Sequence, residues 1–267
     1  MFRFTSDLHI HTTLSACCRD AAEVPENIFP LLKEMGFRKA ALTDHIWRNP
    51  AVPPSPWYAP QNGDEILRLR DRVRAMKNPP ISAIVGCEAD MQGPGKFGVT
   101  SDLRKQLDII LFSTNHFHMR DPKYMLQPEA ATPEKLARHM MSFYLSAVRS
   151  GLPDVLVHPL YLISYLDIYR ETANLITDAE FREVFRETAR AGIGLEINGS
   201  VITELKKNGQ TDIYARIMTL AKESGCKFTY GSDSHALKSF EAAIADGNEF
   251  ANLIGLTEDD LHPLMFV

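Results

Sequence analysis

The chain has 267 residues, 45% apolar and 24% charged, which suits a globular protein with one large domain or two small ones. Its net charge of −5, with no basic block, leaves no electrostatic footprint for long nucleic acid or an anionic membrane surface. No run approaches the roughly 20 apolar residues that span a bilayer, the start lacks the apolar segment of a secretory leader, and four cysteines without a leader read as reduced thiols in a cytoplasm.

The alternating run Phe2 to Ser6 predicts a first strand that runs into Asp7-Leu8-His9-Ile10-His11-Thr12. A polar loop, Leu14 to Val24, leads to a helix from Pro25 to about Met35, closed by Gly36. Lys39 to Thr43 is strand two and delivers Asp44-His45. A loop with five prolines, Asn49 to Gly63, has the length of a lid or substrate wall and carries Trp57. A charged amphipathic helix covers Asp64 to Met76, and Ile81 to Glu88 is strand three.

Strand four, Leu107 to Ser113, ends at Asn115-His116-Phe117-His118. Thr132 caps a helix from Pro133 to Ser150, stopped by Gly151. Val155-Leu156-Val157 is strand five and delivers His158-Pro159. A capping-box spacing at Thr177 and Glu180 opens a helix that runs to Arg190. Gly194 to Asn198 is strand six, Asp212 to Ser224 a helix, and Lys227 to Gly231 strand seven, followed by Ser232-Asp233-Ser234-His235. Strand-to-helix alternation repeated seven times without a linker predicts a parallel sheet closed as a barrel, in one domain over residues 1–267. The glycine-rich fingerprint of a dinucleotide fold is absent after strand one.

In such a barrel the site lies at the strands' C-terminal ends. Seven of nine histidines fall there: His9, His11, His45, His116, His118, His158 and His235. His139, within a helix, and His262, in the tail, do not. Asp7, Asp44, Glu88, Glu196 and Asp233 occupy the same ends. Along an extended strand, residues two apart point the same way, so Asp7, His9 and His11 share a face. Imidazole with carboxylate suits zinc, manganese or iron, whereas magnesium and calcium prefer oxygen alone. So many ligands exceed one ion's needs. Two or three divalent ions sharing a carboxylate would use them, and such a centre hydrolyses phosphate esters.

The ordered set Asp7-Leu8-His9-Ile10-His11-Thr12, Thr43-Asp44-His45, Gly86-Cys87-Glu88, Asn115-His116, Val157-His158-Pro159, Glu196-Ile197-Asn198 and Gly231 to His235 resembles the polymerase and histidinol phosphatase (PHP) family of metal-dependent phosphoesterases. The resemblance implies an α/β fold, a distorted (β/α)7 barrel with two or three metals at its mouth. It implies that His9, His11, Glu88 and Asp233 hold a first ion. Glu88 would bridge to a second, completed by His116 and His158, while His45 and His235 would belong to a third. Asp7, Asp44 and Glu196 are the catalytic candidates, read as partners that orient ligating imidazoles. Asn198 is expected to face substrate. The chain departs from many trinuclear relatives in placing Cys17 where they carry a further histidine. Cys17 is either a thiolate ligand or a packing residue, and the third site is expected to be occupied but weaker.

Arg19, Arg48 and Arg120 follow strands and offer a planar fork to a phosphate; Arg19 and Arg120 are the substrate-binding candidates. The leading expectation is hydrolysis of a small phosphomonoester by water activated on the metals. The alternatives are a phosphodiesterase or nuclease acting on nucleotides, and a metal-binding module that has lost catalysis. The oligomeric state is not legible.

Overall fold

The computed structural model describes residues 1–267. Eleven strands occur: β1 Ser6–Ile10, β2 Lys39–Leu42, β3 His45–Ile46, β4 Ser82–Val85, β5 Cys87–Ala89, β6 Met91–Gly93, β7 Lys96–Phe97, β8 Ile110–Ser113, β9 Val155–Val157, β10 Gly194–Asn198 and β11 Lys227–Gly231. Apart from the β6–β7 hairpin, all pair in parallel, in the orders β1-β2-β4 and β11-β10-β9-β8-β5-β3. The two sheets are one system broken in the middle. β2 continues into β3 and β4 into β5, and the register Leu42↔Val85 resumes as His45↔Glu88. Seven staves thus follow one another in chain order.

The seam between the first and last staves carries no full ladder. One parallel bridge, Ile10↔Ser234, joins them, with Asp233 N donating to His9 O at 2.8 Å and His11 N to Ser234 O at 3.1 Å. The sheet curls into a distorted barrel, tied at the end where the histidines gather. β1 and β10 are buried along their whole length, as parallel strands covered on both faces must be. One apolar cluster of 67 buried residues runs from Phe4 to Met265.

Nine helices accompany the strands: α1 Pro25–Glu34, α2 Gly63–Arg74, α3 Ser101–Arg104, α4 Pro133–Ser150, α5 Tyr169–Asn174, α6 Asp178–Arg190, α7 Gly199–Lys207, α8 Thr211–Glu223 and α9 Phe240–Leu253. The expected caps are present: Thr132 on α4, and the reciprocal Thr177–Glu180 box on α6. Two of the helices, α7 and α9, add to those expected from the sequence. α7 begins directly at the end of β10, because Asn198 turns its side chain back to accept from Val201 N at 2.9 Å, so no loop separates strand from helix. α9 carries Gly247 in its interior, where the Tyr230 ring approaches to 2.5 Å of the position a Cβ would take.

The interruption between β4 and β5 has a steric cause. A Cβ on Gly86 would lie 2.1 Å from Ile109 O, the carbonyl that accepts from Cys87 N just beyond the break. Gly86 lets β8 come close enough to carry Glu88 into the barrel. Gly86→Ala should therefore cost about 1–3 kcal/mol of unfolding free energy, the usual penalty of forced overpacking. Urea denaturation checks this; an unchanged midpoint would show that the backbone at Ile109 yields freely.

Candidate metal centre

The histidines and carboxylates at the strand ends converge on one cavity of about 210 Å³. Glu88, His116, His118, His158, Asp233, His45 and His235 form its polar lining, Cys17 stands among them, and Trp57, Tyr58, Met119 and Ile163 form its apolar wall. Two larger surface grooves, of about 490 and 460 Å³, open beside Phe2 and Ile244 and between α4 and α6. Neither contains any of these side chains, so the small cavity is the one with chemistry.

Glu88 sits at its centre, 1% exposed. Its two oxygens face different imidazoles. Oε2 lies 3.3 Å from both His9 Nε2 and His11 Nε2 and 3.1 Å from His45 Nδ1. Oε1 lies 3.0 Å from His158 Nε2 and 3.6 Å from His116 Nε2. Asp233 Oδ1 closes the first group, 3.1 Å from His11 Nε2 and 3.7 Å from His9 Nε2. Both His158 and Asp233 hold left-handed backbone, with φ of 34° and 54°. That conformation is costly for residues with a Cβ and is typically retained where function requires it.

The outer nitrogens of four imidazoles are pinned. His9 Nδ1 donates to Glu196 Oε1 at 2.7 Å, and His116 Nδ1 to Asp90 Oδ2 at 2.9 Å. His158 Nδ1 donates to Asn115 Oδ1 at 2.8 Å; the amide is oriented because its Nδ2 donates to the carbonyls of His158 and Tyr161. His11 Nδ1 donates to Ser15 Oγ at 3.0 Å, and that hydroxyl spends its own proton on Asp44 Oδ1 at 2.7 Å. With every Nδ1 carrying the hydrogen, the four Nε2 lone pairs aim into the cavity.

Those lone pairs would repel unless something positive stands between them: His9 Nε2 and His11 Nε2 are 3.1 Å apart. Donors about 2.0–2.2 Å from one ion at tetrahedral corners stand roughly 3.3–3.6 Å apart. The His9, His11, Asp233 and Glu88 atoms bracket that spacing. Three groups are close enough to hold an ion: His9, His11 and Asp233; Glu88, His116 and His158; and His11, Cys17, His45 and His235. The charge balance makes the same demand. Burial pushes the His9 imidazole down, yet the Glu196, Asp233 and Glu88 carboxylates override it and hold it well above its ordinary value. His11 rises to about 9 in the same way, against burial and because of Asp233 and Glu88. His116 also reaches about 9, burial again being outweighed by Asp90 and Glu88. The site stabilises positive charge at these nitrogens, and a divalent ion satisfies that demand by replacing protons.

A match to the PHP domain family covers residues 7–258. The chain belongs to the PHP family. A curated relative in Shewanella sp. (strain W3-18-1), named "Probable phosphatase", is 28% identical over 91% of this chain and 82% of its own length. One of the same name in Aliivibrio fischeri (strain MJ11) is 24% identical over 87% and 78%. Among solved structures, histidinol phosphate phosphatase from Lactococcus lactis, crystallised with zinc, L-histidinol and phosphate, superposes with a TM-score of 0.65. It is 17% identical, over 96% of this chain and 95% of that one, and shows that the two share a fold.

Within this PHP barrel several expected roles shift. Glu196 orients an imidazole, but Asp7 and Asp44 touch none. Asp7 accepts from Ser232 N at 3.0 Å and His9 N at 3.2 Å, which fixes the backbones of two staves across the seam. Burial pushes its carboxyl up to about 7. Asp44 acts through Ser15. Asn198 is fully buried and donates to Glu196 Oε2 at 2.8 Å and Asp233 Oδ2 at 3.3 Å, so it braces these two carboxylates instead of facing the cavity. Arg19 and Arg120 are exposed and outside the cavity lining; the Arg120 guanidinium lies 5.7 Å over the Tyr165 ring. Arg48 pairs with Asp64 at 3.3 Å.

Asp90, Ser15 and Asn115 emerge as orienting residues. Asp90 carried a readable signal: it lies two residues after Glu88, on the same strand face. Gly231 is also part of the site, since a Cβ there would stand 2.1 Å from Glu196 Oε1 and 2.4 Å from His9 Cβ.

Cys17 is exposed at the cavity lip, which removes its reading as a buried packing residue. Its Sγ lies 3.1 Å from His235 Nε2. Enclosure by the cavity wall and the charges of Glu88 and Asp233 push its thiol up, so ligation would require an ion to displace the proton. Soft sulfur favours zinc over manganese. Cys17→Ser should therefore weaken zinc retention by about tenfold or more at one site while leaving manganese retention nearly unchanged. Ion count against chelator concentration, for both metals, checks this; superimposable zinc curves would show that sulfur takes no part.

Proposed function

We propose that this chain is a metal-dependent phosphatase that hydrolyses a small phosphomonoester, acting as one PHP domain over residues 1–267. The observation that carries this reading is the set of four imidazoles whose Nδ1 atoms are held by Glu196, Ser15, Asp90 and Asn115, so that their Nε2 atoms converge about Glu88. We assign His9, His11, Asp233 and one Glu88 oxygen to a first ion, and the other Glu88 oxygen, His116 and His158 to a second. Cys17, His45 and His235 belong to a third, weaker position. Zinc, manganese or iron fits these donors, and the zinc in the L. lactis structure supports the same choice. Ions held there would acidify a bound water and neutralise charge on a phosphate ester.

The chain's own residues do the rest. No lysine or arginine lines the cavity, so the charge of a phosphate dianion must be met at the histidine cluster and the ions it would hold. No serine or threonine lines it, and the Cys17 thiol is assigned to the third metal position, so no side chain is left as a nucleophile. Trp57, Tyr58, Met119 and Ile163 give the cavity an apolar wall on one side. At about 210 Å³ the cavity falls below the roughly 300–1,000 Å³ usual for drug-sized ligands, which favours a small substrate. The absence of a basic track argues against the nuclease alternative. Four free thiols suit a reducing, cytoplasmic setting.

Phosphate release from a panel of phosphorylated metabolites, with zinc or manganese supplied, tests the reading. Glu88→Gln keeps shape but removes the shared charge, and should lower kcat/KM by about 10²-fold or more while the fold persists. Parent-like turnover by that variant would remove Glu88 from the centre of the site.

A further inference from the structure

The histidines and carboxylates line one side of the cavity, with His118 and Cys17 beside them; Trp57, Tyr58, Met119 and Ile163 give it an apolar wall. Eight large hydrophobic residues of the chain are exposed, and two of them, Trp57 at 39% and Ile163 at 45%, meet at this mouth from loops after β3 and β9. Met119 completes the wall. Trp57 is not a loose surface residue. Gln61 Nε2 donates to Trp57 O at 2.8 Å, and Gln61 Oε1 accepts from Ala16 N at 2.9 Å, which ties the proline-rich loop to the loop carrying Cys17. The Trp57 ring meets Tyr58 edge-on at 4.7 Å and His45 at 5.2 Å. Tyr58 Oη donates to Asp90 Oδ2 at 3.1 Å, the carboxylate that orients His116. Trp57 and Tyr58 are thus tied to the ligand cluster by hydrogen bonds and ring contacts, at the same cavity mouth.

We propose that Trp57, Met119 and Ile163 select phosphate monoesters of apolar, planar alcohols. The inference rests on the phosphatase reading above. In the reaction, a water oxygen bonds to phosphorus, the bond from phosphorus to the alcohol oxygen breaks, and the alcohol departs with one of the water's protons. An apolar leaving group gains by covering Trp57 and Ile163. A cationic one finds no free carboxylate in the lining, because Glu88 and Asp233 face the histidines; an anionic one finds no lysine or arginine and, outside the ligand set, only the His118 imidazole. Either would lose water along the apolar wall with at most one imidazole in return.

The test compares kcat/KM for benzyl phosphate, 2-phenylethyl phosphate, glycerol 3-phosphate and 2-aminoethyl phosphate, all esters of primary alcohols, on the zinc- or manganese-loaded protein. The two aromatic esters should exceed the other two by at least about tenfold, the usual scale of discrimination by an apolar pocket. Trp57→Ala should abolish most of that ratio and Trp57→Phe should keep it. Should Trp57→Ala fail to fold, Ile163→Ala reports the same ratio. On the parent, tryptophan emission should respond to benzylphosphonate and not to methylphosphonate. Equal rates, a preference for glycerol 3-phosphate or 2-aminoethyl phosphate, or a ratio unmoved in both alanine variants would overturn the selectivity and leave the phosphatase reading standing. No phosphate released from any ester would overturn both.

Discussion

A carboxylate almost wholly buried, with no lysine or arginine beside it, must draw its positive charge from elsewhere. Glu88 is that carboxylate, and its counter-charge comes from imidazoles set on both of its oxygens. The histidines hold Glu88 well below its ordinary value against the opposing effect of burial. Much of the barrel's C-terminal face can be understood as the means of keeping these rings in place. β1 supplies two of them, the break in the second stave a third, and the turns after β8, β9 and β11 the others.

Holding the rings costs the fold something. The third stave breaks where Gly86 lets Ile109 pass, and the seam between β1 and β11 is tied by two backbone bonds instead of a ladder. His158 and Asp233 adopt left-handed backbone. Such departures, each of order 1–3 kcal/mol where the backbone is strained, cluster at sites whose geometry is fixed by what they bind. His158, Leu160 and Asp233 follow strand ends at the mouth, whereas Asn78, the other non-glycine residue with left-handed backbone, lies in the loop after α2.

Much of this was legible in the sequence because the signals were local. Pro133 and Gly151 bound α4, Thr177 and Glu180 box α6, and the ligand residues follow apolar runs in the order of the staves. What stayed hidden depends on contacts between distant segments. α7 leaves no gap after β10, because Asn198 is both strand end and cap. Asp44 seemed placed to orient a histidine, yet it reaches His11 only through Ser15, a loop residue with no periodicity to mark it. Asp7 points to the seam, which no linear pattern reveals. The arginines after the strands were candidates by position alone, and position does not say that a side chain turns outward, as Arg19 and Arg120 do.

The claim on which the rest depends is that the convergent Nε2 atoms around Glu88 hold more than one ion. Elemental analysis of the purified chain, after dialysis and again after reconstitution with zinc or manganese, measures this directly. The account predicts at least two transition ions per chain. Fewer than one ion per chain, with no gain on reconstitution, would contradict it.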